Sequence, residues 1–420
     1  MNVQKISTII HNTTIYIKGV QDLFTIMANL YHNFLKKIAH FQVENPILSV
    51  LIIFALTIII FGGVSKVQTV ASLEQMMPPH VEEIKAFNTL RDNHLGQEMI
   101  AIVLEINRES TDINGVIDVR DKEVYDYLVH ISTLIRSEVD IISAYSYADL
   151  INPQNPSNEN YDSLIQQTDL SEFVNQDSST TILIATTDVS ANDPRMNLLS
   201  TRIKKDIESA GYPPGIKIKF TGTPIIQQKL GELISKDRTN TQWISTFFVF
   251  IITMLIFGTF SSALVPIIIV TMSVNWLYGT MGYTGLPIST LAGGVAAMVI
   301  GIGIDFAIHI MNKFRYERKK GLGIKESIEL AVTETGTALT ATSITTIAAF
   351  LAFLSGAMPE MGRFGILMAL GITYSLIFSL FGLPALLVLE EKIILFVKNK
   401  MKFGVEGELH LSSNKVGGKE

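Results

Sequence analysis

Six runs of apolar residues along the chain are long enough to cross a bilayer, since a spanning helix needs about 20 of them. They cover residues 46–64, 242–260, 263–281, 287–311, 337–357 and 364–389. One run precedes a long polar segment, 65–241, and the other five follow that segment in close succession. The pattern predicts an α-helical membrane protein with one span, a large domain outside the bilayer and then five more spans.

The polar segment 65–241 alternates β-rich runs with helical patterns. The β-rich runs are residues 98–106, 141–147, 180–187 and 216–222. Between them, 120–137 and 194–210 repeat apolar residues at helical spacing, and the Asn- and Pro-rich stretch 152–163 predicts a loop. The segment is therefore predicted to form two β-α-β units, that is, an α+β domain.

Both flanks of the predicted spans carry segments of a different character. Residues 20–41 repeat apolar groups at helical spacing close to Lys36 and Lys37. This pattern predicts an amphipathic helix within a cytoplasmic segment 1–45, lying either on the lipid surface or packed under the membrane domain. Residues 391–420 are predicted to form a cytoplasmic tail whose polar end has little to bury.

Composition supports the membrane assignment and excludes some chemistry. Hydrophobic residues make up 48% of the chain, charged residues only 17%, and the mean hydropathy is +0.34, which departs from an ordinary soluble protein. There is no cysteine, so disulfides and thiolate metal sites are excluded. The formal net charge is −6, and no nucleic-acid partner is predicted.

Charge asymmetry predicts the orientation in the membrane. Lys36 and Lys37 precede the first span, and the connection 312–325 is strongly basic, so the positive-inside rule places both in the cytoplasm. With six spans, both termini are then cytoplasmic and residues 65–241 are extracytoplasmic. Residues 66–241 carry 16 Lys and Arg against 26 Asp and Glu, which agrees with that placement. The sequence thus predicts a multi-pass protein of the cytoplasmic membrane.

The sequence offers no catalytic or cofactor-binding motif. It contains no Gly-rich phosphate loop, no HExxH and no nucleophile elbow. His80, His94 and His130 stand singly, so no metal site is predicted. We therefore expect no cofactor and no enzymatic activity.

Two ionisable residues, Asp305 and His309, lie inside the fourth predicted span. Steps of four residues back from His309 reach Asp305, Gly301, Ala297 and Gly293, so all five share one helix face. Small residues let helices approach closely, and we therefore expect this face to pack against a neighbouring helix and direct Asp305 into the bundle.

The fifth predicted span supplies hydroxyl groups at a similar depth. It includes Thr342, Thr345 and Thr346, and Asp305 and Thr342 each lie about 9 Å inside their spans at 1.5 Å per residue. An intramembrane carboxylate is costly to ionise and usually functional. These threonines, with Asp305 and His309, are therefore predicted to form a proton relay. Two alternatives stay open: a protonated Asp305 that only fixes helix packing, and a His309 that reaches toward the interface.

Several motifs together resemble one superfamily. They are "SLEQMMPP" (72–79), "FTGTPII" (220–226), "GIGIDF" (301–306) and the last span, 364–389. In this order, over about residues 40–390, the chain resembles the resistance-nodulation-division superfamily, in its MMPL and sterol-sensing, Patched-like branch. The resemblance implies a 1+5 arrangement of spans with an exported, ferredoxin-like porter domain. It also implies a proton-driven transporter of lipids or other hydrophobic molecules.

Two departures from that superfamily qualify what the resemblance implies. Members commonly have Asp-Tyr in the fourth span, whereas this chain has Asp305 followed by Phe306. The six-span unit usually occurs twice per chain and here occurs once, so a single-repeat chain is expected to assemble as a homodimer. Two further functions remain alternatives: a sterol-sensing-like, lipid-responsive regulatory protein, and a Sec-associated accessory subunit for protein export.

Overall fold

The computed structural model describes residues 26–69, 77–78, 80–92, 98–108, 115–151, 158–191 and 193–396. The described chain forms two compact units. The helical unit comprises 26–68, 237–356 and 361–396, and the smaller unit comprises the described residues of 69–236 together with 357–360. Six helices are long and apolar enough to cross a membrane, so the predicted six-span fold is confirmed.

The helices of the described residues are numbered here in chain order. They are α1 (26–44), α2 (Pro46–Phe61), α3 (Glu82–Asp92), α4 (Lys122–Ser137), α5 (Ala148–Ile151), α6 (Asn158–Gln167), α7 (Pro194–Ser209), α8 (Thr223–Phe257), α9 (Phe260–Thr284), α10 (Val295–Lys319), α11 (Ile324–Leu330), α12 (Gly336–Leu351) and α13 (Pro359–Ile377). A 3₁₀ turn, Leu291–Gly294, precedes α10, and a π-helical segment, Ala331–Thr335, joins α11 to α12. A second π-helical segment, Phe378–Gly382, follows α13, and the helix resumes over 383–396.

The smaller unit contains an antiparallel sheet. Its strands are β1 (Glu98–Ile106), β2 (Ile141–Tyr145), β3 (Thr180–Thr187) and β4 (Ile216–Thr221), in the order β2-β3-β1-β4. Helix α4 connects β1 to β2 and α7 connects β3 to β4, while β3 lies between β1 and β2. This is the order of two interleaved β-α-β units, so the predicted ferredoxin-like α+β fold is confirmed.

The core of the smaller unit follows the alternation of the strands. Ile100, Ile102 and Leu104 of β1 are fully buried at every second position. Tyr147 is also fully buried, and its hydroxyl donates to the Val119 carbonyl oxygen at 2.9 Å. Burial raises the pKa of the Tyr147 phenol, so the group stays protonated and keeps that hydrogen bond.

The predicted loop 152–163 is partly wrong, because residues 158–163 begin helix α6. Residues 152–157 lie outside the described residues. The helix forms because Tyr161 is buried: its ring lies 5.1 Å from that of Tyr125, and its hydroxyl donates to the Arg120 carbonyl oxygen at 2.7 Å. Tertiary packing of one aromatic residue thus outweighs the polar composition around it.

The fourth span is longer than its apolar run. The segment 312–319, expected to be part of a connection, continues α10 through Lys319. It stays helical because its charges are paired along the helix: Lys313 Nζ lies 2.9 Å from Glu317 Oε1, and Glu317 is almost completely buried. The turn between the fourth and fifth spans is therefore shorter than predicted.

Glycines bring the first and third spans into close contact. A Cβ added at Gly279 would overlap the Ile60 carbonyl oxygen, and one added at Gly282 would overlap that of Gly63. The Trp276 indole nitrogen donates to Thr57 Oγ1 at 3.0 Å, which links the same two helices. Backbone contact of this kind requires glycine and favours close helix packing in membranes.

Helix α1 packs against the helical unit on one side only. Leu35, Ala39 and Gln42 are buried, whereas Leu30 and Phe34 are exposed. Leu23, an apolar residue of the predicted amphipathic segment 20–41, lies outside the described residues. The part of α1 that the structure describes therefore presents an open apolar face.

Candidate functional site in the fourth span

Helix α10 is held in the helical unit by the face opposite Asp305. A Cβ added at Gly303 would lie 2.6 Å from Ser375 Oγ, and one added at Gly371 would overlap the Val299 side chain, so α10 and α13 are in close contact. Phe306 is buried on this packed side. The helix geometry then turns Asp305 about 200° away from Gly303, at 100° per residue.

The Asp305 face is open in the single chain. Asp305, Gly301 and His309 are exposed, and Gly293 and Ala297 are half-buried. A Cβ added at Gly301 would have no atom within 4 Å. The expectation that this face packs against a neighbouring helix of the same chain is therefore not met. A stripe of small residues predicts close packing, but it does not say whether the partner helix belongs to the same chain.

The Asp305 carboxylate has no hydrogen bond and no ion pair with any residue that the structure describes. Among the described residues, the site contains no countercharge to stabilise the ionised form. Since an isolated carboxylate in an apolar environment is costly, the group needs a proton, water or a second molecule.

The threonines of α12 are not joined to Asp305. Thr342 Oγ1 donates to the Leu339 carbonyl oxygen at 3.0 Å, while Thr345 and Thr346 donate to the Thr342 carbonyl oxygen at 2.7 and 2.9 Å. Thr342 and Thr345 are exposed and Thr346 is half-buried. Their hydroxyl protons are used within the helix, but each oxygen can still accept a hydrogen bond.

Charged residues at the end of α10 form a network that sequence analysis missed. Lys313 Nζ lies 2.7 Å from Glu334 Oε2, in the π-helical segment before α12, as well as near Glu317. Arg318 pairs with Glu391 in the last helix. The network ties the end of α10 to both following spans. The basic run was visible in the sequence, but its acidic partners are distant along the chain.

Buried hydroxyl groups in the sixth span were also missed. Ser375 and Ser379 are buried, and their Oγ atoms have no hydrogen-bond partner among the described residues. Their i, i+4 spacing in an apolar span places them on one helix face, which is a signal the sequence does contain. Ser375 lies against Gly303, on the side of α10 opposite Asp305.

In the described ranges, the isolated histidines do not belong to a group of possible metal ligands. His80 and His130 are exposed, and His94 lies outside those ranges. No group of three or more His, Asp or Glu in the described part of the chain is arranged to hold a metal ion.

Residues 68–403 match the MMPL family. The chain belongs to the MMPL family. A putative membrane protein of Methanocaldococcus jannaschii is 32% identical over 379 residues, which cover 88% of this chain and 97% of that protein. The sulfolipid-1 exporter MmpL8 of Mycobacterium tuberculosis is 23% identical over 158 residues, 37% of this chain but only 14% of that protein. A Niemann-Pick type C1-related protein of Toxoplasma gondii is 28% identical over 112 residues, 27% of this chain and 9% of that protein.

The MMPL assignment confirms the family resemblance predicted from the motifs. With six candidate spans and a relative named as a membrane protein, this MMPL chain is a multi-pass membrane protein. The region that aligns with this chain is almost the whole of the Methanocaldococcus relative. The mycobacterial relative and the Toxoplasma relative are each several times longer than the region that aligns with this chain.

Proposed function

We propose that this MMPL-family chain is a membrane transporter that uses the proton-motive force to move lipids or other hydrophobic molecules, and that it has no enzymatic activity. The observation that carries the proposal is an exposed carboxylate, Asp305, that has no partner among the described residues and lies in the apolar span 287–311, where His309 is the other ionisable residue. One mycobacterial relative is named as a sulfolipid exporter, and a second relative is named for Niemann-Pick type C1, so lipid cargo is the substrate class we infer.

Asp305 suits proton coupling because it is exposed on a candidate span and has no countercharge among the described residues. Water that reaches the side chain can exchange a proton with its carboxylate. Each proton crossing 100 mV supplies about 2.3 kcal/mol, which is enough to bias such an exchange. The adjacent Phe306 is buried and has no hydroxyl, so the exchange depends on Asp305, on His309 and on the threonine oxygens of α12.

We infer that the transporter is a homodimer in which the Asp305 face meets a second copy. The face is open, its small residues Gly293, Ala297 and Gly301 permit close approach, and a twofold axis pairs one surface with itself. Two copies would restore the paired arrangement of six-span units that the superfamily usually has within one chain. Asp305 would then be enclosed between the copies rather than within one bundle.

For the orientation, we propose that both termini are cytoplasmic and that residues 65–241 lie outside the cytoplasmic membrane. The support is the charge on α10, where Lys313, Arg315, Arg318 and Lys319 all lie in its last two turns. Lys36 lies near the same end of the bundle, since it pairs with Glu329 of α11. The positive-inside rule places this end in the cytoplasm.

The test of the function is Asp305→Asn, which keeps the volume and polarity of the side chain but cannot release a proton. In proteoliposomes of native lipid loaded with a pH-sensitive dye, the variant should lose the proton uptake that an imposed gradient drives in wild type. The matched control is Asp126→Asn, which removes an exposed carboxylate of the smaller unit and should change nothing. Equal proton flux in wild type and Asp305→Asn would refute proton coupling and favour the lipid-responsive regulatory alternative or the export-accessory alternative.

The homodimer has a separate test, Gly301→Leu. The added side chain has free space in the single chain, so the fold should persist, but it should separate two copies that pack on this face. Protein mass in nanodiscs, corrected for lipid, should fall from two copies to one. Ala55→Leu, on the exposed side of α2, is the control and should stay dimeric. A Gly301→Leu protein that remains fully dimeric would place the dimer contact elsewhere.

A further inference from the structure

An apolar groove lies along α1 in the helical unit, away from Asp305. It has a volume of about 350 Å³ and is lined by Phe34, Phe41, Ile52 and Phe381, among other residues. A second cavity of about 610 Å³ shares Phe34 and Lys37 with this groove and adds polar groups. The groove thus has an apolar floor that leads to a polar mouth.

The mouth carries one lysine, Lys37, that has no acidic partner among the described residues. Lys36 Nζ pairs with Glu329 Oε1 at 2.6 Å, and His40 Nε2 lies 2.8 Å from Glu44 Oε1. Lys37 lines both cavities but has no ion pair with any carboxylate in the part of the chain that the structure describes. The free charge at the groove mouth therefore favours an anionic group.

The lining also contains an unsatisfied polar atom. Gln42 is only 2% exposed, and its Nε2 donates to the carbonyl oxygens of Leu380 and Phe381 at 3.2 and 2.7 Å. Two acceptors around the nitrogen fix the orientation of the amide. Its Oε1 atom is buried and has no hydrogen-bond partner among the described residues. The amide therefore fixes α1 to the π-helical segment Phe378–Gly382 and keeps this wall of the groove in place.

We propose that this groove binds an anionic phospholipid, with one hydrocarbon chain along Phe34, Phe41 and Ile52 and the phosphate at Lys37. A soluble anion would satisfy only Lys37, whereas a lipid also covers the exposed apolar face of α1. Cations beside a membrane attract anionic lipids in this way. The site is independent of Asp305 and of proton coupling, and it rests only on the placement of the helical unit in a membrane.

The test uses the full chain in nanodiscs of phosphatidylcholine that contain a minor fraction of phosphatidylglycerol. Native mass spectrometry of the protein released from these discs measures which lipids remain bound. Wild type should retain phosphatidylglycerol above its bulk fraction. Lys37→Gln should lower that retention about fivefold. One lysine near anionic lipid contributes about 1 kcal/mol to binding, which corresponds to that factor. Lys66→Gln, at the other end of the first span, is the matched control and should retain the lipid.

A second variant tests the apolar part of the groove. Ile52→Trp fills the groove from α2 without removing charge, so phosphatidylglycerol retention should fall while Lys37 is intact. Retention at the bulk fraction in wild type, or equal retention in Lys37→Gln and wild type, would overturn the proposal. So would displacement of the lipid by inorganic phosphate alone at millimolar concentration, because that result would identify a simple anion site.

Discussion

Three of the six candidate spans form the inside of the helical unit, and the other three are largely exposed. Within the most apolar window of each helix, 50% of the residues of Phe260–Thr284 and of Leu291–Lys319 and 61% of those of Pro359–Phe396 are buried. The corresponding values are 17% for Pro46–Lys66 and 11% for both Thr223–Phe257 and Ile324–Ser355. Mean hydropathy does not separate the groups, because the most apolar window, at 2.9, belongs to an exposed span. Hydropathy reports that a helix crosses the membrane, but it does not tell which helices lie inside the helical unit.

Close contacts at glycines join the inner spans to one another and to the outer spans. Gly303 and Gly371 bring α10 and α13 together, and Gly279 lets α9 approach α2. In membranes there is little hydrophobic gain from packing one apolar helix on another, so contact depends on such residues and on hydrogen bonds. The outer helix α12 instead uses its threonine hydroxyls within its own turns.

The largest effect is expected from Gly282→Ala, on an inner span. Its new methyl group would overlap the Gly63 carbonyl oxygen, which is backbone and cannot move aside. We expect a loss of about 3 kcal/mol in the free energy of unfolding, at the upper end for overpacking. Denaturation by sodium dodecyl sulfate in mixed micelles measures this loss.

Gly301→Ala is the matched control, because it makes the same change on the open face of α10, where a Cβ meets no atom within 4 Å. It should leave the denaturation midpoint of the monomer unchanged. If the two alanine variants were equally stable, glycine contacts would not explain why the inner spans are buried.

A smaller effect is expected from Thr57→Val, which cuts the hydrogen bond from the Trp276 indole to the outer first span. Valine keeps the shape of threonine but leaves the indole N–H without its acceptor. Trp276 is half-buried, and an unsatisfied donor that water only partly reaches costs about 1 kcal/mol, so the denaturation midpoint should fall.

Thr246→Val on α8 provides the comparison, because the Thr246 hydroxyl donates to the Gln242 carbonyl oxygen of its own helix. That variant should be nearly neutral. Equal loss in both variants would mean that the interhelical bond to Trp276 adds nothing beyond the general cost of removing a hydroxyl.

In the smaller unit, local pattern specified nearly the whole fold. The predicted strand 98–106 is β1 residue for residue, because Ile100, Ile102 and Leu104 alternate with outward-facing positions. The predicted helix 120–137 is α4 apart from two residues at its start. Helix α6 was not predicted because it depends on the burial of Tyr161. That burial arises from contacts with Arg120 and Tyr125, which the local composition does not show.

For the candidate site, the sequence predicted which residues share one helix face but not the surroundings of that face. Counting by fours placed Gly301, Asp305 and His309 on one face of α10, and all three are exposed together. The pattern could not show which face of a small-residue helix is turned to its own chain. The side that packs is marked by Gly303 and Val299, two residues whose neighbours come from the sixth span, more than 70 positions away.

The smallest effect on stability is expected from the double substitution Thr342→Val and Thr346→Val on α12, an outer span. Thr342 is exposed, Thr346 is half-buried, and both hydroxyls bond within the helix, so the free energy of unfolding should change by no more than about 0.5 kcal/mol. Its effect on transport distinguishes two environments for α12. If the helix faces only lipid in the assembled protein, the pH profile of proton uptake is unchanged.

If instead α12 meets the Asp305 face in the dimer, the double variant removes polar atoms that help to solvate the ionised carboxylate. The pH profile of proton uptake should then differ from that of wild type. Ser355→Ala, which removes an exposed hydroxyl beyond the end of α12, should leave the profile unchanged. We predict that the double variant changes the profile. A profile identical to wild type would remove the α12 threonines from the relay while leaving the role of Asp305 to the test by Asp305→Asn.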